Sequence, residues 1–482
     1  MRPGFQSAPN IDHAVRQLSW RDPDGFVVEQ GERIFRAVAA GRADEIDRLI
    51  SSAWFQRRVD SGSMVASRWV QSSEVAYPSA REFRWLEHTR LNFPCYPHEI
   101  TAPQLHDSAV LTLDLAREAH RNGWRLKDCS AWNVLFSSGR PVFCDVLSFV
   151  RYEPAWAWPA YGQFHRHFVI PLLLYRHLAM SPASFFLWQR DGVTPETARR
   201  MLRGVRAWLQ PALEAVTLPA ILAKRRKRRG GAVAPQGGGR SIDAELADHL
   251  MERTFRRLDK HLRRLRPRPR RHASVWAQYE TERGHYSDAD LASKRAIVRE
   301  AITDERIRTV LDLGCNAGEF SFIAESCGKR VVAADSDEHS LEILYSRVSE
   351  GHSQVQPLHL NVGRPTPSVG WMGEETPGVL QRMVGQFDCI LVLGLIHHLL
   401  ISERVPLERV CELLHSLRPR TVLLEWVEPS DPRFHALAAP NAELYSHLSR
   451  RVFEDEISRW FTIAASHTLP SKMRILYRCE RQ

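Results

Sequence analysis

VLDLGCNAGEFS, residues 310–321, is a short apolar run that ends in a glycine-containing turn and opens a helical stretch. A strand that enters a helix through such a turn brings backbone close to a bound small molecule. Gly314 and Gly318 permit that approach because they carry no Cβ. The usual nucleotide-binding turn has a third glycine where this chain has Asn316, the residue that after glycine best tolerates positive φ. Asp312 stands two residues before the first glycine, so the turn reads DxGxxxG. Asp335 closes the next apolar run, RVVAAD (330–335), about 20 residues on, where an acid that holds ribose hydroxyls belongs.

Outward from this turn the pattern alternates. After TVLDLG (309–314) and RVVAAD come the helical HSLEILYSRV, then VQPLHLN (355–361), DCILVLG (388–394) and TVLLEWV (421–427). FTIAASHTL and MRILYRC finish the chain as a terminal hairpin. Strands alternating with helices predict a parallel sheet covered on both faces, with ligands bound at the carboxyl ends of its strands.

Residues 273–482 resemble the class I S-adenosylmethionine (SAM) dependent methyltransferases along their whole length, most of all bacterial members that include nodulation-type enzymes. The likeness is carried by the leader WAQYETERGHYSDADLASK (276–294), the turn LDLGCNAGEFS and the string LIHHL after the fourth strand. The resemblance implies a Rossmann-like α/β domain with SAM as cofactor. It puts Asp312, Gly314, Asn316 and Gly318 at the cofactor site, the last three along the methionine side. Asp335 would hold the ribose, and Asn361 would lie near the adenine. Trp276, Tyr279, Tyr286 and Lys294 belong to a leader that folds over the cofactor in such enzymes; packing at helical spacing explains them equally well.

Methyl transfer is an in-line displacement at a sulfonium, so the protein has to position the acceptor and, for a hydroxyl, remove its proton. LGLIHHLL (393–400) follows the fourth strand, where the acceptor should sit, and His397 and His398 are the base candidates because imidazole titrates near neutrality. A histidine pair here can also serve only to shape the cofactor pocket. Glu425, in or just past the fifth strand, is a candidate to orient a histidine or bind the acceptor; an ordinary solvated strand-end carboxylate is the alternative. The adjacent histidines and the distant Glu425 do not indicate a metal site, and none is expected. The expected reaction is O-methylation of a small-molecule or glycan-type hydroxyl.

The N-terminal part reads as a separate α+β domain, residues 1–220. GFVVEQGERIFRAV (25–38) predicts a hairpin turning at Gln30-Gly31, and SAVLTLDLAREAHRNG (108–123) an amphipathic helix. WRLKDCSAWNVLFSSGRPVFCDVLSF (124–149) predicts two strands around SSGRP, and aromatic-rich helices follow over 161–215. Asp128, Asn133 and Asp145 resemble, in order and spacing, the catalytic and metal-binding residues of kinase-like phosphotransferases. A degenerate kinase-like fold, and with it a bifunctional kinase-like methyltransferase, is therefore one reading. No GxGxxG covers the nucleotide and no lysine can be placed on a third strand, with Glu99 only a nominal partner. The expectation is accordingly structural: Asp128 and Asn133 form turns, and the domain supports the protein or helps bind the acceptor.

The net charge of +10 is a property of one segment. Residues 221–272 carry 17 Lys/Arg against five Asp/Glu, whereas 273–482 are net acidic at −6. KRRKRRGGAVAPQGGGR (224–240) reads as a surface loop, and SIDAELADHLMERTFRRLDKHLRRL (241–265) as a helix capped by Ser241 with Leu246, Leu250, Phe255, Leu258 and Leu262 on its apolar face. A nucleic-acid or ribosome methyltransferase delivered by this basic segment is the rival reading. The acidic catalytic half favours a small acceptor instead. The eight cysteines show no CxxC pair, the start MRPGFQSAPNIDHAV has no apolar core of a signal peptide, and no apolar run spans a bilayer. A cytoplasmic protein without a membrane partner is expected.

Overall fold

The computed structural model of the chain describes residues 15–228, 242–268 and 287–482. The run that decides the fold is strand β10 in chain order. Nine strands precede it: β1 (Val15–Gln17), β2 (Gly25–Gln30), β3 (Arg33–Val38), β4 (Ser67–Val70), β5 (Arg84–His88), β6 (Trp124–Leu126), β7 (Val134–Ser137), β8 (Arg140–Phe143) and β9 (Phe149–Arg151). Then come β10 (Thr309–Leu313), β11 (Arg330–Asp335), β12 (Gln356–His359), β13 (Cys389–Val392), β14 (Thr421–Val427), β15 (Phe461–Thr468) and β16 (Arg474–Arg481).

The last seven form one sheet in the order β12-β11-β10-β13-β14-β16-β15. Strands β10 to β14 are parallel, and β16 runs antiparallel between β14 and β15. This is the Rossmann-like α/β arrangement expected from the alternation. Its strands read as unbroken apolar runs because helices bury both faces; every residue of β13 and β14 is buried. Strand order, not strand direction, reverses between β10 and β13, so the crevice for a ligand opens at their carboxyl ends.

In the N-terminal part β1 to β5 make an antiparallel sheet in the order β1-β2-β3-β5-β4. The expected hairpin is there, with Gln30 opposite Arg33 and Gly31 at φ 57° in its turn. The amphipathic helix runs longer than the sequence indicated, Ala102–Arg121, because Thr101 and Gln104 form a reciprocal cap ahead of it. Beyond it β6 pairs with β9, and β7 with β8.

The helix of the basic segment begins at Ala244, not at Ser241, which lies outside the described residues. Asp243 is its cap, accepting from the Leu246 N–H at 3.1 Å. Its buried stripe is Ala247, Met251, Phe255, Leu258 and Leu262, with Leu246 exposed. That stripe packs on helix Ala102–Arg121, and His106 Nε2 meets the Leu262 carbonyl at 3.1 Å. Most of the basic loop, from 229 on, lies outside the described residues, as do Trp276, Tyr279 and Tyr286 of the leader.

Apolar side chains of both parts join in one continuous core, from Leu105 and Leu115 to Leu311 and Val332. Polar contacts cross the same boundary: Gly139 N–H donates to Gln356 Oε1 at 3.0 Å, and Tyr345 Oη to Asp107 Oδ2 at 2.6 Å. Among the described residues no helix is long and apolar enough to cross a membrane.

Candidate functional site

The turn after β10 has the shape its residues predict. Gly314, Asn316 and Gly318 all hold positive φ, at 76°, 51° and 86°. A Cβ on Gly314 would stand 3.3 Å from Leu395, and one on Gly318 2.4 Å from Leu344, so both positions need glycine for space as well as for φ. The turn is held to the neighbouring strand through the Ala334 carbonyl, which accepts from Gly314 N–H at 2.8 Å and Cys315 N–H at 3.1 Å.

Two acids frame the turn. Asp335, at the end of β11, accepts from Asn316 N–H and Asp337 N–H, each at 2.8 Å. Burial nonetheless raises its pKa. Asp312 lies beneath the turn, buried, with Ser321 Oγ donating to it at 2.6 Å. Burial, reinforced by the charge of Asp335, pushes its pKa up to about 6. Asn361, two residues past β12, spends its side-chain oxygen on its own loop, accepting from Gly363 N–H at 2.9 Å and Arg364 N–H at 3.1 Å. It shapes the rim at the end of the third strand.

His397 and His398 open helix Ile396–Ile401 directly after β13, beside the turn, with ring centroids 4.0 Å apart. Both are neutral at pH 7. Burial lowers His398 to about 4, helped by Arg474 and Arg433, and lowers His397 further, with His398 and Arg474 adding to the effect.

Glu425 is not a solvated strand-end carboxylate. It is fully buried in β14 and bonded by Lys294 Nζ at 2.7 Å, with Arg474 at 3.4 Å on its other oxygen. Arg474 in turn reaches Asp431 at 3.3 Å. Lys294, from leader helix Asp288–Ile302, is thus fixed by an ion pair and lies over the Phe320 ring at 4.8 Å. A lysine and an acid 131 residues apart give no signal in spacing, so sequence reading missed their pairing.

A second constellation lies in the N-terminal part, along a cleft of about 1490 Å³. Asp128, Asn133 and Asp145 all line it, joined by Arg36 from β3. Arg36 pairs with Asp145 at 2.8 Å. Asp128 accepts from Ser130 N–H at 2.9 Å and Gln163 Nε2 at 2.6 Å. Asn133 Nδ2 donates to Ser148 Oγ at 3.1 Å, and Asp145 caps the short helix Val146–Ser148. Glu99 pairs instead with Arg382, from helix Val379–Met383 of the C-terminal part. The cleft also touches Thr309 and Arg330, the first residues of β10 and β11, at the edge of the sheet opposite the glycine turn.

No protein-family model matches the chain. It is 27% identical over 465 residues to nodulation protein NoeA of Rhizobium meliloti (strain 1021), an alignment that covers 96% of this chain and 95% of that protein. Among solved structures, the N-methyltransferase NodS of Bradyrhizobium japonicum WM9 with S-adenosyl-L-homocysteine is similar over 42% of this chain and 97% of its own, at 12% identity and a TM-score of 0.30. The bifunctional kinase-methyltransferase WbdD is similar over 43% of each chain, at 17% identity and the same TM-score.

Proposed function

We propose that this chain is a SAM-dependent methyltransferase acting on a hydroxyl of a small-molecule or glycan acceptor. The observation that carries the reading is the turn Asp312–Gly318. Positive φ at the alternate positions 314, 316 and 318, at the switch point of a Rossmann-like sheet, curls the backbone between buried Asp312 and half-buried Asp335, with no Cβ on either glycine to keep a ligand away. Bound there, SAM supplies a methyl group already activated on a sulfonium. Gly314, Asn316 and Gly318 would hold its methionine side and Asp335 its ribose.

The histidine pair fits the remaining task. A neutral imidazole is the form that accepts a proton from a hydroxyl, and burial keeps both rings neutral. Lys294, Glu425 and Arg474 do not exchange that proton in this reading; they lock the leader helix to β14 beside the histidines. Because burial holds His398 down at about 4, the base itself should add no step to the kcat profile between about pH 5 and 8, and any step near pH 6 belongs to Asp312. His397→Ala or His398→Ala should lower kcat by about 10²-fold or more, the usual worth of a general base. Steady-state assays with isotope-labelled SAM, on the acceptor identified by mass spectrometry of labelled extracts, check both expectations. Little loss in either variant would point to an amine acceptor and against the hydroxyl.

For the N-terminal cleft we propose a structural role. Asp128, Asn133 and Asp145 have their side chains committed to nearby backbone, to Gln163 and Ser148, and to Arg36, which supports turn formation over phosphoryl transfer.

A further inference from the structure

Away from both sites, three helices converge on a small polar cluster in an otherwise apolar region. His165 and Glu214 each sit in a π-helical turn, His165–Val169 and Leu213–Thr217, and His261 comes from helix Ala244–Leu265. One side-chain donor atom from each lies within 4.8 Å of the other two. Wide turns of this kind are uncommon and concentrate at functional sites.

The hydrogen bonds leave these groups short of partners. His165 Nδ1 faces the Tyr161 carbonyl at 3.0 Å, so Nδ1 carries the proton and Nε2 the lone pair. That Nε2 has no hydrogen-bond partner among the described residues, although the side chain is 97% buried at 3% exposure. His261 Nδ1 is likewise unpartnered and buried. His261 Nε2 stands 3.7 Å from Glu214 Oε2, too far for a hydrogen bond. Two ligands at about 2.0–2.1 Å around a tetrahedral ion are separated by about 3.4 Å, close to that spacing. The other carboxylate oxygen is held by Tyr161 Oη and by Arg257 Nε, the latter at 3.0 Å, which fixes the carboxylate plane.

We propose that His165, Glu214 and His261 form a binding site for a divalent transition metal, with Zn²⁺ the best match to two imidazoles and one carboxylate. His165 Nδ1 is held by the Tyr161 carbonyl, which leaves the Nε2 lone pair for the ion. The ion would clamp helix Ala244–Leu265 onto the N-terminal helices, and its fourth position is left for water.

The test uses the full chain, freed of any affinity tag. After loading with Zn²⁺ and desalting, the wild type should retain one equivalent and melt at a higher temperature than the chelator-treated protein. With Co²⁺ in its place, it should show the visible bands of a four-coordinate ion. His165→Gln, Glu214→Gln and His261→Gln should each lose the retained metal while keeping the wild-type circular dichroism. Wild type that retains no equivalent and gives no cobalt bands overturns the site, whether or not the variants fold. Retention that survives all three substitutions overturns it too.

Discussion

Asp312 carries its charge at a cost to the fold. An acid whose folded pKa is raised disfavours its own charge, so stability falls as pH rises from the unfolded value near 4 toward the folded value of about 6. Two pKa units are worth about 3 kcal/mol. Asp312→Asn keeps an acceptor for Ser321 Oγ and removes the buried charge, so above pH 6 the ligand-free variant should be more stable than wild type by up to about that amount. Below pH 4 the difference should vanish. Urea titrations at pH 4 and pH 8 check it, and equal stabilities at pH 8 would refute it. At this scale the glycines, Asn316 and Asp335 were legible, because positive φ and strand-end acids leave local marks. The state of Glu425 was not: its partners, Lys294 and Arg474, come from other elements, and a strand-end acid looks the same whether solvated or paired.

The helices that precede and flank the sheet owe their places to contacts that span the chain. Helix Asp288–Ile302 is tied to β14 by the buried Lys294–Glu425 pair. Removing one partner of such a pair leaves a buried charge under-compensated and typically costs 3–5 kcal/mol, roughly. Arg474 remains beside Glu425 and softens the loss, so Lys294→Met should cost about 3 kcal/mol by denaturant unfolding. Adding Glu425→Gln should recover part of it, giving a coupling energy of about 1 kcal/mol or more. Strict additivity of the two substitutions would mean that the pair does not hold the helix. The strands were read from short apolar runs and the helix Ala244–Leu265 from its period, but that helix's cap was placed two residues early, at Ser241 instead of Asp243. Ser241 and Asp243 are both good caps in sequence, and only the bond to Leu246 N–H distinguishes them.

Across the whole molecule, the glycine turn and the N-terminal cleft open at opposite edges of one sheet, with a shared apolar core between. The kinase-like order of Asp128, Asn133 and Asp145 was legible because it lies within one short stretch; Arg36, which pairs with Asp145 from 109 residues upstream, was not. If the cleft is structural, Mg-ATP should leave the melting temperature of the wild type unchanged. A clear stabilisation that Asp145→Ala removes would establish a phosphotransfer centre instead. The central claim is that the turn Asp312–Gly318 and Asp335 bind SAM, and isothermal titration of the full chain with SAM tests it most directly. One SAM should bind per wild-type chain, and Asp335→Ala should bind it about tenfold or more weakly, as expected for lost charge-assisted hydrogen bonds. No binding by the wild type, or equal affinity in the two proteins, would contradict it.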